Sequence, residues 1–515
     1  MPETAGRILL VVLALIAGLA IAALADWTYA TPEDHDMSSP LLEQMRELID
    51  EADLPIDSVI VLRGGDIVFE HFPNLSLYRP NIPHNLYSTT KSITSILIGI
   101  AIEMGFIEDV DQPVIDFFPN RQIRNLDARK RRMTLEHLLT MTSGLEWEGP
   151  DDMHHSWGAG IRSGDPVQYA LDRPMAHEPG EVFYYNGGCS HLLSAILTEA
   201  TGMSTLDFAQ EHLFGPLDIL RVIWPRDPNG VYYGGQDIHL TPHAMAKIGQ
   251  LFLNGGLWED ERIVPAEWVA ASWQPHTVTW SGTYGYQWWH YPESGVFYAS
   301  GAFEQRILVI PNYDMVVVFT ASNMAPGVGP GERDVGPQIV EWLFSRFILP
   351  ACDDFEPQPF GDYGFTLSIP HLLQEWTSGG PGVREASRTA GLSLFSYDGS
   401  PYERLGIRWM VQEPPYDPSA ALGEFVGSLR AFGVQIESVG AMTEAPTPAG
   451  TATCQPIDIA QEHGLERAYI GTLPCSEEGL SIVVYVGIPE RFTPWIEPVT
   501  EVAEILGSLQ YTETE

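Results

Sequence analysis

The chain has 515 residues, 44% of them hydrophobic and 18% charged, a composition that describes a globular protein and not a disordered one. Asp and Glu outnumber Lys and Arg by 68 to 27, giving a net charge of -41, and a surface that acidic repels phosphate backbones and anionic headgroups, so nucleic acid is not expected as a partner. The length exceeds one ordinary core, so two domains after an N-terminal segment are expected.

Residues 8–25, ILLVVLALIAGLAIAALA, form an uninterrupted apolar run after Arg7 that closes on Ala23-Leu24-Ala25, a small-x-small pattern of the kind a signal peptidase cuts. Residues 1–25 read either as a cleaved signal peptide or as a retained membrane anchor. Both place the remainder outside the cytoplasm, as a secreted, periplasmic or outward-facing anchored protein. Export permits a disulfide, and Cys454 and Cys475, which flank one short segment, are the expected pair. Cys189 reads as a small buried hydrophobe.

Leu41 to Glu51 has the pattern of an amphipathic helix, followed by strands at Ser58–Leu62 and Ile67–Glu70 joined through Gly64-Gly65-Asp66. A helical stretch starts near Ser88 and runs through ITSILIGIAIEMG; others cover Leu135 to Met141 and Ser190 to Thr201, the last stopped by Gly202. Strands return at Tyr284–His290, Val296–Ser300, Gln305–Ile310 and Met315–Thr320. That order requires the first hairpin to join a sheet completed by distant sequence, with the helical middle packed on it. The unit so defined spans residues 40–350.

After Cys352-Asp353-Asp354 the pattern restarts, and residues 353–515 read as a separate small α+β domain of unknown role. Its strands are expected at Phe365–Ile369, Gly391–Phe395, Leu405–Val411, Leu465–Leu473 and Leu480–Gly487. Helices are expected at Ser419–Phe432 and Val499–Ser508, and an Ala/Pro/Thr-rich loop at Thr443–Thr453.

Ser88-Thr89-Thr90-Lys91 carries the chemistry. A serine and a lysine three apart on a helix share a face, close enough for the amine to touch the hydroxyl. At the start of the helix, the backbone N–H of Ser88 points at a developing oxyanion. A free serine is a poor nucleophile without a neighbouring base. Lysine serves as that base only where burial lowers its pKa, and the flanking SITSILIGIAI is apolar. Neither GxSxG nor an ordered Ser/His/Asp set occurs. No metal or other cofactor is implied: His154-His155 is adjacent instead of at i, i+4 spacing, and HExxH and CxxC are absent.

The stretches YSTTKSITSILIG, VDQPVIDFFP, MTLEHLLTMTSGLEW, EPGEVFYYNGGCSHLLSAI, LTPHAMAKIGQLFLNGG, YGYQWW and SGAFEQRILVIP follow in order. In these the chain resembles the serine β-lactamase and penicillin-binding-protein family, class C-like, and in particular its esterase, D-aminopeptidase and 6-aminohexanoate-oligomer hydrolase branches. The resemblance covers about residues 50–345. It implies an α/β (α+β) fold with a β-lactamase/transpeptidase-like antiparallel sheet flanked by helices, plus an all-helical subdomain. It implies a Tyr-x-Asn element whose tyrosine exchanges protons with the nucleophile. Tyr184-Tyr185-Asn186 offers two placements. A literal match selects Tyr184 and Asn186; counting back from Leu192-Leu193 selects Tyr185, with Gly187 in the asparagine position, and is preferred. The third element of the family, Lys-Thr-Gly or His-x-Gly on a strand, corresponds to Ala299-Ser300-Gly301-Ala302. The resemblance makes the Ala302 N–H the second oxyanion donor, with Ser300, Gly301 and Asn186 beside the substrate. The usual cation is missing at Ala299, which counts against a dedicated β-lactamase or transpeptidase, and Glu304 stands where relatives commonly have glycine.

The expected function is therefore an exported serine hydrolase that cleaves a small-molecule or peptide-like ester or amide through a Ser88 acyl-enzyme, with Lys91 and Tyr185 as general base and no cofactor. The alternatives are a β-lactamase or D,D-peptidase, and a catalytically silent protein that binds a ligand or an envelope partner. His137 and His191 read as packing residues, Glu136 and Glu178 as structural, and Arg129-Lys130-Arg131-Arg132 as a solvated loop. Tyr284, Tyr286, Trp288 and Trp289 line either a cleft or the core.

Overall fold

The computed structural model describes residues 27–352 except 52–53, 74, 76–78, 148–154, 280–281, 292–294 and 322–338, and beyond 352 chiefly the strands given below. The apolar run at 8–25 lies outside the described residues, among which no helix is long and apolar enough to cross a membrane.

Eight strands form one antiparallel sheet: β1 (Ile56–Arg63), β2 (Asp66–His71), β3 (Thr277–Thr279), β4 (Gly282–Tyr284), β5 (Trp289–Tyr291), β6 (Val296–Gly301), β7 (Gln305–Ile310) and β8 (Met315–Ala321). Their order is β2-β1-β8-β7-β6-β5-β4-β3. The early hairpin does join strands from far along the chain, with Val59 opposite Phe319 and Val61 opposite Val317. β7 and β8 are buried at every position, which is why they read as continuous apolar runs without alternation.

Five helices matter for the site: α1 (Ser39–Glu51), α2 (Thr90–Glu103), α3 (Leu135–Leu139), α4 (Gly187–Thr201) and α5 (Pro242–Leu253). Helix α5 packs on β7 and β8. Gly249 lets it approach, because a Cβ there would lie 2.5 Å from Val316 Cγ1. Helix α2 is buried from Thr90 to Ala101, so it has no polar face to show in sequence. It contacts both β6 of the sheet and helix α4. Two of its hydroxyls bond outside the helix, Ser92 Oγ donating to Gln287 O at 2.6 Å and Thr94 Oγ1 to Gly234 O at 2.7 Å.

The strand expected at Tyr284–His290 is two strands, β4 and β5, broken by a turn in which Gln287 takes φ 64°. Gln287 Nε2 donates to Leu138 O and Leu139 O at 3.1 and 3.2 Å, plugging the turn into the end of α3. The run of aromatics reported burial there, not an unbroken ladder.

Beyond residue 352 a second antiparallel sheet is built from β9 (Ala390–Ser396), β10 (Arg404–Val411), β11 (Ile436–Val439), β12 (Thr443–Thr447), β13 (Gly450–Gln461), β14 (Gly464–Pro474) and β15 (Leu480–Pro489). The order is β9-β10-β15-β14-β13-β11, with β12 paired to β13. Phe365–Thr366 pairs separately with Gln510–Tyr511. The stretch Thr443–Thr453, expected as a loop, is instead the β12–β13 hairpin, with Ala445 opposite Ala452 and Thr447 opposite Gly450. Its threonines favour strand, and Pro446 is tolerated because, among the described residues, β12 pairs with β13 alone. The helices expected at Ser419–Phe432 and Val499–Ser508 fall almost wholly outside the described residues. Cys454 carries a free, buried thiol, against the expected bond to Cys475, which itself lies outside the described residues.

Candidate active site

The Ser88 turn is built before the helix begins. Tyr87 sits at φ 45°, a left-handed conformation that an L-residue disfavours, and Tyr87 to Thr89 form one 3-10 turn that runs into α2. Asn85 Oδ1 accepts the Tyr87 N–H at 2.9 Å, and Leu86 O accepts the Thr89 N–H at 3.0 Å. These bonds present the half-buried Ser88 side chain at the foot of the helix.

Lys91 follows one turn later. Its Nζ donates to Ser88 Oγ at 2.9 Å and to Gly235 O at 2.7 Å, and the side chain is 4% exposed. Neither partner is charged. Burial pulls the amine down from its ordinary 10.5 to about 7, an effect that the Asp237 charge opposes in part.

The tyrosine brought to the pair is Tyr185. Its hydroxyl hydrogen-bonds Ser88, and burial pushes its pKa up to about 12, so the phenol is protonated at neutral pH. The Lys91 ammonium nitrogen lies 4.8 Å from its ring centroid. Behind it stand Tyr284 and Trp289, with ring centroids 6.2 and 5.6 Å away. Tyr184 bonds through its backbone N–H to Met141 O at 2.8 Å.

Asn186, expected beside the substrate, has both side-chain atoms engaged within the protein. It caps α4: its Oδ1 accepts the Cys189 N–H at 2.8 Å, its Nδ2 donates to Tyr184 O at 2.8 Å, and it is 2% exposed. An asparagine just before a helix had this simpler reading in sequence. Gly187 occupies the position next to it as the first residue of α4.

The end of β6 closes the other side. A Cβ on Gly301 would lie 2.1 Å from Leu86 O and 3.1 Å from Thr89 Oγ1, so only glycine lets this strand meet the Ser88 turn. Ala302 is exposed beyond it, and Phe303, 47% exposed, packs edge-on to Tyr87 at 5.1 Å. Ser300 is half-buried opposite Arg306 in the β6–β7 ladder. Ala299 is wholly buried, so the strand offers no cation at the position where the family pattern has one.

Other expectations resolve as packing. Tyr284, Tyr286, Trp288 and Trp289 are all buried. His137 closes a helix cap, its Nδ1 3.0 Å from both the Thr134 N and Oγ1. His191 is buried against Asp227 at 3.1 Å. Glu136 accepts the Tyr286 hydroxyl at 2.8 Å, and Glu178 pairs with Arg132 at 2.7 Å. The basic run is not uniformly solvated: Lys130 is fully buried, donating to the carbonyls of Arg124, Leu171 and Arg173 at 3.0, 2.7 and 2.6 Å. Among the described residues no group of three His, Cys, Asp or Glu side chains could hold a metal ion.

The loop at Gly234–Asp237 was missed in sequence. It supplies the second acceptor of Lys91 and the nearest negative charge, and Asn85 Nδ2 donates to Asp237 Oδ1 at 3.2 Å. A backbone carbonyl has no side-chain signature; the Gly-Gly pair was its only trace.

An amine kept short of charge and touching a serine hydroxyl is suited to one task, receiving that proton as the oxygen becomes a nucleophile. The class so defined is the serine hydrolases and acyltransferases that use lysine where others use histidine. A model of the Beta-lactamase family matches residues 42–336, and the chain belongs to that family. Among curated relatives, the 6-aminohexanoate-dimer hydrolase of Paenarthrobacter ureafaciens is 25% identical over 286 residues, 52% of this chain and 72% of that one. The monacolin J acid methylbutanoyltransferase of Aspergillus terreus is 29% identical over 152 residues, 27% of this chain and 37% of that one. Among solved structures, one from Bacillus anthracis, named as a candidate 6-aminohexanoate-dimer hydrolase, is 22% identical with a TM-score of 0.49 over 59% of this chain and 80% of that one.

Proposed function

We propose that this enzyme cleaves an uncharged ester or amide by acyl transfer from Ser88 to water. The observation that carries the reading is the Lys91 Nζ to Ser88 Oγ contact of 2.9 Å made by an amine whose pKa is about 7. At neutral pH a large share of this amine is unprotonated and takes the Ser88 proton as Oγ attacks the carbonyl carbon. The oxyanion is held by the N–H groups of Ser88 and Ala302. The protonated Tyr185 hydroxyl, bonded to Ser88, passes a proton toward the leaving oxygen or nitrogen and is reprotonated from Lys91. The C–O or C–N bond then breaks, leaving an acyl-Ser88 ester. Water, losing its proton to the same amine, attacks this ester; the bond to Oγ breaks as the amine returns that proton to Ser88, releasing the acid and restoring both groups.

The buried Ala299 favours substrates without a carboxylate beside the scissile bond, against penicillins and D,D-peptides. Amide hydrolysis and ester hydrolysis share this site equally. Export is part of the proposal and rests on the apolar run at 8–25 and its Ala-Leu-Ala end.

The test is p-nitrophenyl acyl ester turnover and fluorophosphonate labelling with peptide mapping. Ser88→Ala should abolish both, with the label on the Ser88 peptide of the parent; unchanged turnover would end the proposal. A panel of linear amides and a fluorescent penicillin then separates the substrate classes.

A further inference from the structure

The turn between β6 and β7 carries a buried ion cluster one residue from the oxyanion site. Gly301 pairs with Gln305, so Ala302, Phe303 and Glu304 close the hairpin. Phe303 and Glu304 both take left-handed conformations, φ 58° and 64°. Two such residues in succession do not hold a turn by their own preference.

Glu304 turns inward and is 6% exposed; Arg306 and Glu341 are 6% and 7% exposed. Arg306 Nη2 meets Glu304 Oε1 at 3.3 Å, and Nε meets Glu341 Oε1 at 3.2 Å. The remaining nitrogen, Nη1, donates to Gly301 O at 3.1 Å and Gln305 O at 3.3 Å. Gln305 O also accepts the Thr89 hydroxyl at 3.4 Å, so the same carbonyl ties the cluster to the residue after Ser88. Burial raises Glu304 well above the usual carboxylate range, against the pull of the Arg306 charge.

We propose that Arg306, clamped by Glu304 and Glu341, is the positioning residue for the oxyanion donor of Ala302. The inference rests on the Ser88 and Ala302 roles proposed above. In a trans peptide the carbonyl and the N–H point in opposite directions. A guanidinium fixed on the Gly301 carbonyl therefore aims the Ala302 N–H away from the buried cluster, toward the open side where the Ser88 turn meets β6. A planar five-donor group spans this carbonyl and two carboxyls in one fixed fork; a lysine ammonium is too compact to reach all three from the same stem. Without the clamp the left-handed turn relaxes and the donor leaves its line. A glycine at 304 would adopt the turn without strain, and a buried ion group lowers stability more often than it raises it. Orientation of the donor accounts for both departures.

The experiment compares the full chain with Arg306→Lys and Glu304→Gln on p-nitrophenyl butyrate and on its thiono analogue, in which sulfur replaces the carbonyl oxygen. Sulfur is a weak acceptor, so the oxo-to-thiono rate ratio measures the oxyanion donors and not the fold. Arg306→Lys should lower kcat about 10- to 100-fold with KM within about twofold, and the oxo-to-thiono ratio should fall with it. Glu304→Gln keeps the size and one acceptor, so it folds; kcat and the ratio should fall together by about three- to tenfold. Parental kcat and ratio in both variants overturn the proposal, as does a loss of kcat that follows the folded fraction while the ratio stays constant. A parent chain without Ser88-dependent turnover overturns both readings; a parent that labels at Ser88 beside variants of unchanged ratio overturns only the clamp.

Discussion

Lys91 and Gly235 are joined by a 2.7 Å hydrogen bond from the amine to the backbone carbonyl, and this bond holds the amine beside Ser88 without giving it a negative partner. A carboxylate in the same place would keep the lysine charged and useless as a base. Asp237 stands near enough to be felt but not to neutralise the effect of burial.

The first prediction concerns rate. With the Lys91 pKa near 7, log kcat/KM should rise with unit slope below about pH 7 and level off above it. A profile flat from pH 5.5 to 8 would remove the amine from the role of base. Lys91→Met should lose the ester activity altogether, and Lys91→Arg should not restore it.

The second concerns stability. The amine binds its proton at about 7 when folded and near 10.5 when unfolded, so between those values the unfolded chain holds more protons. Stability relative to Lys91→Met should therefore rise as pH increases from 7 toward 10.5, by at most about 1.4 kcal/mol per pH unit, and be level below 7. Urea unfolding of both proteins at pH 6, 8 and 9.5 measures the difference.

The third separates the two tyrosines. Tyr185→Phe removes the hydroxyl that bonds Ser88 and should lower kcat by about 10²- to 10⁴-fold with the fold intact. Tyr184→Phe should stay within about tenfold of the parent, since Tyr185 and not Tyr184 is the tyrosine that meets Ser88 and Lys91. The reverse ranking would restore Tyr184 to the catalytic position.

The fourth tests the cap. Asn186→Ala should cost about 1 kcal/mol of stability, with Asn186→Asp recovering most of it, and KM should not change. A KM increase at constant stability would show that the side chain meets substrate.

The fifth tests the closeness of β6 to the nucleophile turn. Gly301→Ala forces a carbon against Leu86 O and should destabilise by about 1–3 kcal/mol while displacing Ser88 from its line. Thermal melts and ester turnover should fall together.

What could be read from sequence was the chemistry that repeats within one element. Ser88 and Lys91 are visible because three positions on one helix make neighbours, and the apolar α2 announces the burial that lowers the amine. The strands of the main sheet are visible as apolar runs; the break at Gln287 was not, because a turn plugged by side-chain bonds to α3 looks apolar from end to end. The capping role of Asn186 was not singled out because a cap and a substrate contact call for the same residue type. Lys130 was hidden among three arginines, since its carbonyl partners come from Arg124 and from Leu171 and Arg173 in another segment. Arg306 gave no signal at all: Glu304 is close in sequence, but Glu341 and the Gly301 carbonyl become its partners only in the folded sheet.

The pairing of β1 with β8 has a consequence for how the enzyme is made. Ser58 and Thr320 touch across the sheet at 2.6 Å although they lie 262 residues apart. A nascent chain must therefore emerge past Ala321 before the first hairpin finds its neighbour, and long-range pairing of this kind folds slowly. Until then the edge of β1 is open to other chains, so the polypeptide invites chaperone escort during synthesis, and fragments that stop short of β8 should aggregate instead of showing partial activity.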